Sequence, residues 1–268
     1  MLAKRLLVLI FLIPVFVALL VAGGWIFATF IALILGIAAW EYWRIFKGGG
    51  HSPSKVVLVG GVVLLALSRA AFGFHWSDAV LTGLILLTLA VSALRYERGI
   101  GNAATDFTIT VGGFLYLGWL GAYFISLRAL PQGQWWTLFV ISSIWIVDAG
   151  AYVIGSRFGR HLLAPRVSPH KTWEGFAGGL VLGMIGTALL AALWQSQVAA
   201  ITPQKGLFLG LVLGVISPLG DLGESMFKRQ FGLKDSGKLL PGHGGVMDRI
   251  DTWLWAVSVS YYLIVWLW

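Results

Sequence analysis

GLFLGLVLGVISPLGDLGESMFKRQFGLKDSGKLLPGHGGVMDRIDTWLWAVSVSYYLIVWLW, Gly206 to Trp268, decides the fold, because it sets a polar segment between two apolar runs. The runs, 206–224 and 252–268, approach the length of about 20 residues that a helix needs to cross a bilayer. Between them, Ser225 to Asp251 gathers five basic residues (Lys228, Arg229, Lys234, Lys238, Arg249), three carboxylates (Asp235, Asp248, Asp251), His243 and the Gly244-Gly245 pair. That set of groups suits phosphates and a divalent metal.

The same alternation runs through the whole chain. Its 268 residues are 58% hydrophobic and 11% charged, against about 25% charged residues in soluble domains. An all-α polytopic membrane protein follows, with about nine transmembrane helices near 6–22, 25–43, 56–74, 79–94, 107–127, 135–154, 174–194, 206–224 and 252–268. We divide it into a lipid-facing scaffold, 1–130, and a catalytic transmembrane region, 131–268. The first run, behind Lys4 and Arg5, also has the layout of a signal peptide; Pro14 within it and the lack of a small-residue cleavage site before Trp25 argue against removal.

Basic residues orient the bundle. With the N-terminus cytoplasmic and the C-terminus outside, sixteen of the nineteen fall on the cytoplasmic side and only Arg69, Arg128 and Lys205 fall outside, as the positive-inside rule requires. Ser225–Asp251 then faces the cytoplasm, and an inner (cell) membrane location fits best. The net charge of +8 is explained by this rule without a nucleic acid partner, while helping to hold anionic lipid and nucleotide. Zero cysteines exclude disulfides, thiolate metal sites and cysteine nucleophiles. Several of the fourteen tryptophans stand at segment ends, where they serve as interfacial anchors.

Glycine recurs every fourth residue at Gly175, Gly179 and Gly183 and again at Gly206, Gly210 and Gly214. Such stripes let backbones approach closely in lipid. They either pack on each other or form a subunit interface in a homodimer. Asp148, Asp221 and Glu224 stand inside apolar segments, where each costs about 2.5 to 3.5 kcal/mol at the bilayer centre unless it meets a cation or a polar interior. Asp221, Glu224, Ser225 and Lys228 share one helical face, and Pro218 and Gly220 are expected to bend or open that helix. Glu224 is balanced between an ion pair with Lys228 and a catalytic role. For Asp221 and Asp248 a metal is the preferred reading. Asp248 and Asp251 lie one turn apart at the entrance to the last helix.

Gly232-Leu-Lys-Asp-Ser-Gly237-Lys238-Leu239 nearly spells a phosphate-binding P-loop, but Leu239 replaces the required hydroxyl and no strand precedes it. Gly244 and Gly245 permit backbone N–H groups to point at an anion. In Ser168-Pro-His-Lys171-Thr-Trp-Glu174, one of Ser168, Thr172 and Glu174 is expected to cap a helix, whereas no helix start requires Lys171 with Arg166 and His170.

Ser225, Lys228-Arg229, Lys234-Asp235, His243-Gly244-Gly245, Asp248-Arg249 and Asp251 stand at the spacings of the phosphatidate cytidylyltransferase (CDP-diacylglycerol synthase) signature, which this stretch resembles without a break. Gly220-Asp221-Leu-Gly-Glu224, SPHKTWEGFAGG at 168–179 and Asp148 near Ala151-Tyr152 extend the resemblance over the C-terminal half. Ala149 and His170 depart from it, where a hydroxyl residue and a lysine are expected.

The resemblance implies a membrane transferase that joins CTP to phosphatidic acid and releases pyrophosphate. It implies Mg²⁺ on Asp221 and Asp248, in a two-cation centre for which K⁺ is a candidate second ion, with Glu224, Asp251 and Asp148 as further ligands. It implies that Lys171, Lys228, Arg229, Lys234, His243 and Arg249 hold the phosphates, with Ser225, Gly244 and Gly245 at the substrate. Two rivals are a CTP-dependent lipid kinase, disfavoured by the complete signature, and a transporter, disfavoured because the polar groups crowd at one end and no repeat is visible.

Overall fold

A computed structural model describes residues 13–239 and 244–268. Among them, eight helices are long and apolar enough to cross a membrane. A short apolar helix, α1 (Ile13–Ala22), precedes them; the rest of the run expected at 6–22 lies outside the described residues. The spanning helices are α2 (Gly24–Gly48), α3 (Lys55–Phe72), α4 (Ser77–Glu97), a compound helix over Ala103–Ala129, α7 (Gly133–Phe158), α8 (Trp173–Trp194), α9 (Pro203–Gln230) and α10 (Met247–Leu267). The compound helix consists of α5 (Ala103–Gly113), a π-helical turn (Phe114–Trp119) and α6 (Tyr123–Ala129).

The all-α reading holds apart from one hairpin between α7 and α8. Strand β1 (Leu162–Ala164) runs antiparallel to β2 (Ser168–Thr172), pairing Leu162 with Thr172 and Ala164 with Ser168. Pro165 and Pro169 deny this stretch helical hydrogen bonds. Thr172 then caps α8, its hydroxyl accepting the N–H of Gly175 at 3.1 Å.

The chain forms two compact units, Met1–Ala129 with Gln230–Arg249, and Leu130–Arg229 with Ile250–Trp268. In the first, α2 buries Phe27, Ile31, Leu35, Ala38, Tyr42 and Ile45, the stripe of a helix facing protein on one side. Gly61 sits under the ring of Phe114, and Gly113, Gly118 and Gly121 lie against Leu58, Leu65 and Leu35. These absent side chains let the helices nest. Helix α4 buries Leu84, Thr88 and Ser92 but exposes Leu86, Leu87, Leu89 and Leu94, the pattern of a helix whose large side chains meet lipid. Arg128 closes α1, donating to the carbonyls of Leu20 (2.6 Å) and Val21 (3.2 Å). Arg69 is buried between Ser77 and Ser126, with its guanidinium 3.7 Å from the centre of the Phe74 ring.

In the second unit both glycine stripes are used internally. A Cβ on Gly179 would meet Ala151 and the Val147 carbonyl of α7, while one on Gly206 would meet Ala191 and the Thr187 carbonyl of α8. A Cβ on Gly210 would approach Met184 Cα to 2.7 Å. The stripe of α9 therefore seats on α8, and Gly183 marks where the two stripes meet. Lys205 stands 5.8 Å from the ring of Trp268, Trp268 stacks on Trp136, and Trp135 packs edge-on against Trp194. This aromatic cluster joins the start of α7, the end of α8, the start of α9 and the end of α10.

Candidate active site

Helix α9 supplies the centre of the charged end of the second unit. Of the two outcomes expected at Pro218 and Gly220, a bend or an opening, the opening does not occur, because the helix continues unbroken to Gln230. Proline still lacks the N–H that would bond the Gly214 carbonyl, and Gly214 and Pro218 both line a cavity. Gly220 instead serves helix packing, since a Cβ there would come within 2.9 Å of the Asp251 carbonyl and Thr252 Cα. Glycine thus lets α10 close on α9.

Three carboxylates converge where these helices meet. Asp221, Glu224 and Asp251 each offer an oxygen within 4.8 Å of the others. Lysines face two of them: Lys171 Nζ lies 2.5 Å from Asp221 Oδ2, and Lys228 Nζ lies 2.5 Å from Glu224 Oε2. Ser225 donates its hydroxyl to Asp221 Oδ1 at 3.2 Å. Of the three acids expected in apolar segments, only Glu224 is fully buried; Asp221 is half-buried and Asp148 is exposed. Unlike Asp221, whose lysine comes from the hairpin, Glu224 takes its lysine from one turn later in its own helix.

The cavity has a volume of 580 Å³, within the usual range for small-molecule sites. Asp148, His170, Lys171 and Asp221 form its polar wall, with Val147, Leu163, Phe176 and Thr252 among the other linings. Gly155, Gly175, Gly179 and Gly214 border it without side chains of their own. Glu174 holds the hairpin beside this wall: its carboxylate accepts the N–H groups of Arg160 and His161 and meets His161 Nδ1 at 2.5 Å. Arg229 adds a tie from the end of α9, donating to the Val167 carbonyl at 3.3 Å.

The first unit holds a second carboxylate cluster. Asp248 Oδ2 accepts the backbone N–H of Ser236 (2.9 Å), the Ser236 hydroxyl (3.0 Å) and the N–H of Gly245 (2.7 Å). The last contact reaches back three residues in the manner of a capping box. Gly244 has φ +84°, a left-handed conformation that favours glycine. Glu41 Oε2 of α2 stands 3.1 Å from the same Ser236 Oγ and accepts the Met247 N–H at 2.8 Å. Lys234 and Lys238 are exposed on either side of buried Ser236. His243 lies outside the described residues.

The model of the cytidylyltransferase family matches residues 3–267. The chain is 34% identical over 262 residues to phosphatidate cytidylyltransferase of Bacillus subtilis, covering 93% of each chain. It is 34% identical over 269 residues to the Pseudomonas aeruginosa protein of that name, covering 98% of this chain and 97% of the relative. A Synechocystis protein of the same name is 32% identical over 283 residues, with 92% and 91% covered.

This chain belongs to the cytidylyltransferase family.

For a cytidylyltransferase, the fold groups the sequence-derived site residues into two sets. Lys171, Asp221, Glu224, Ser225, Lys228 and Asp251 form a lysine and carboxylate cluster, with Asp148 lining the same cavity as Lys171 and Asp221. Gly245 and Asp248 belong to the hydrogen-bonded loop of the first unit, where the Gly245 N–H is turned to Asp248. Arg249 follows Asp248, and its own N–H closes on the Val246 carbonyl. Sequence reasoning does not single out Glu41. A signal for it exists: it is a carboxylate inside the run 25–43, close enough to the end to pass for an interfacial residue.

Proposed function

We propose that this chain is an integral membrane transferase that makes CDP-diacylglycerol and pyrophosphate from phosphatidic acid and CTP. The observation that carries the reading is the cavity wall of Asp148, His170, Lys171 and Asp221, joined through Asp221 to the Glu224 and Asp251 carboxylates. It places cationic and anionic groups together at one end of an apolar helix set. The full-length similarity to proteins named phosphatidate cytidylyltransferase supports the same substrates.

In the reaction, a phosphate oxygen of phosphatidic acid forms a bond to the α-phosphorus of CTP. The bond from that phosphorus to the bridging oxygen breaks, and pyrophosphate leaves with the electron pair. A phosphate monoester is already largely dianionic near neutral pH, so the step needs charge control more than a general base. Lys171 and Lys228 supply ammonium groups, with Arg229 beside them and Lys234, His243 and Arg249 carried over from the family signature. Apolar helices leave the acyl chains of the substrate in lipid.

The carboxylate oxygens of Asp221, Glu224 and Asp251 are hard donors close enough together to fit Mg²⁺. When bound, Mg²⁺ would neutralise phosphate charge and align the attacking and leaving oxygens. Asp248 is assigned to the same role by the signature, as are Asp148 as an additional ligand and K⁺ as a second cation. A cytoplasm-facing site in the inner membrane is the orientation that the distribution of basic residues favours. A homodimer through the glycine stripes is not part of the proposal, since both stripes are occupied within the second unit.

Purified protein given phosphatidic acid, Mg²⁺ and CTP labelled at the α- or the γ-phosphate tests the reaction. Cytidylyl transfer puts α-label into lipid and γ-label into pyrophosphate. Entry of γ-label into lipid would replace this reading with a kinase. Orientation is tested by Lys238→Cys in a chain that has no other cysteine. In intact spheroplasts a membrane-impermeant maleimide should label it only after permeabilisation; labelling beforehand reverses the topology.

A further inference from the structure

Glu41 sits in the apolar sequence IAAWEYWRIF of α2, and its side chain is fully buried. One oxygen, Oε2, accepts from two groups on either side of the signature loop: the Ser236 hydroxyl at 3.1 Å and the Met247 N–H at 2.8 Å. The other, Oε1, is buried without a hydrogen-bond partner among the described residues. It lies against Gly237 and Gly245, where a Cβ would collide with the carboxylate. Two glycines of the loop are therefore small where the carboxylate of Glu41 enters it.

Ser236 connects this acid to Asp248. Its Oγ is 3.1 Å from Glu41 Oε2 and 3.0 Å from Asp248 Oδ2, yet a hydroxyl has one proton to give. Asp248 is held in addition by the N–H groups of Ser236 and Gly245. The position of the Asp248 carboxylate is thus set by a loop whose two sides are fastened to one buried acid.

We propose that Glu41 is a positioning residue for cytidylyl transfer, fixing Ser236 and Met247 and through them the carboxylate of Asp248. The proposal rests on the cytidylyltransferase reading for its catalytic consequence, but the fastening of the loop is a separate physical claim. Hydrogen exchange of the full-length, nucleotide-free protein in detergent tests that claim directly. In Glu41→Ala, amides of Ser236 and Gly244–Asp248 should exchange about tenfold or more faster, and those of α7 and α8 should not change.

Kinetics test the consequence. Glu41→Gln preserves shape and one acceptor, so it remains informative if Glu41→Ala does not fold. Its kcat should fall about 30-fold while KM for CTP changes less than about threefold. Combined with Ser236→Ala, the loss should be no larger than that of the stronger single variant, because both act through one contact. Unchanged exchange overturns the fastening. Faster exchange with wild-type kcat, or fully additive losses, overturns the positioning role. If the wild type itself fails to move α-label from CTP to phosphatidic acid, the functional reading falls, and exchange still decides whether Glu41 fastens the loop.

Discussion

The two carboxylate clusters of this molecule are satisfied by different chemistry. Around Asp221 and Glu224 the partners include ammonium groups on long stems, Lys171 and Lys228, beside the Ser225 hydroxyl. Around Glu41 and Asp248 they include backbone N–H groups and one hydroxyl, from a short loop and the first residue of α10. An ammonium group is a mobile point charge that can turn from a carboxylate to a phosphate without unfolding anything. A backbone N–H can change partner only if the chain moves. At the half-exposed Lys171–Asp221 pair the first cluster can exchange charges, whereas the second holds a shape.

The largest effects are expected where charge and shape are separated by a single atom. Asp221→Asn should cut kcat on the order of 10³-fold with the protein still folded in detergent, since an amide cannot replace the anion at the proposed cation site. Asp248→Asn sharpens the comparison. Its amide oxygen can still accept from Ser236 and Gly245, so the loop should keep its exchange protection. If charge at 248 also serves the reaction, kcat nevertheless falls about as far as in Asp221→Asn. Near-normal turnover in Asp248→Asn would assign Asp248 to loop shape alone. Normal turnover in Asp221→Asn would remove it from the proposed metal site.

The two lysines of the first cluster should separate stability from activity. Lys228 is 8% exposed and its partner Glu224 is fully buried. Removing the cation by Lys228→Met should destabilise the fold by about 3 kcal/mol, seen as a lower midpoint of thermal unfolding in detergent. Lys171 is 26% exposed and its partner 36%, so solvent screens that pair and Lys171→Met should leave the unfolding midpoint nearly unchanged. Its cost should appear in kcat/KM, falling about a hundredfold as a phosphate contact is lost. Equal thermal shifts in the two variants would break the distinction between buried and exchangeable lysines.

The contrast also explains which features are legible in the sequence. Membrane spans, glycine stripes and the Glu224–Lys228 spacing are periodic features of single helices, and apolar length or a four-residue interval reveals them without tertiary information. Thr172 as a helix cap is one of three choices that the local sequence allows. The hairpin at 162–172 escapes because its strands, three and five residues long, are too short for an alternating pattern to show. Of the bend or opening expected at Pro218, the opening does not occur, since a proline can remain inside a transmembrane helix when neighbouring groups support it. Glu41 escapes for a deeper reason. Its partners, Ser236 and Met247, lie 195 and 206 residues away along the chain, and no local pattern links a lone glutamate to a distant loop.

The smallest expected difference tests whether the family signature reads individual residues or only a basic loop. Lys234 and Lys238 are both exposed and both flank Ser236. Electrostatic attraction to an anionic substrate alone would treat them alike, because charges at similar distances are screened similarly over about 8 Å at physiological salt. A directed phosphate contact would not. Only Lys234 belongs to the signature, so Lys234→Ala should raise KM for CTP about tenfold, and Lys238→Ala less than about twofold. Raising ionic strength should narrow neither value greatly if Lys234 touches phosphate. Equal and strongly salt-dependent changes would mean that the loop attracts nucleotide by its charge, leaving specific recognition to the lysines and carboxylates of α9 and the hairpin.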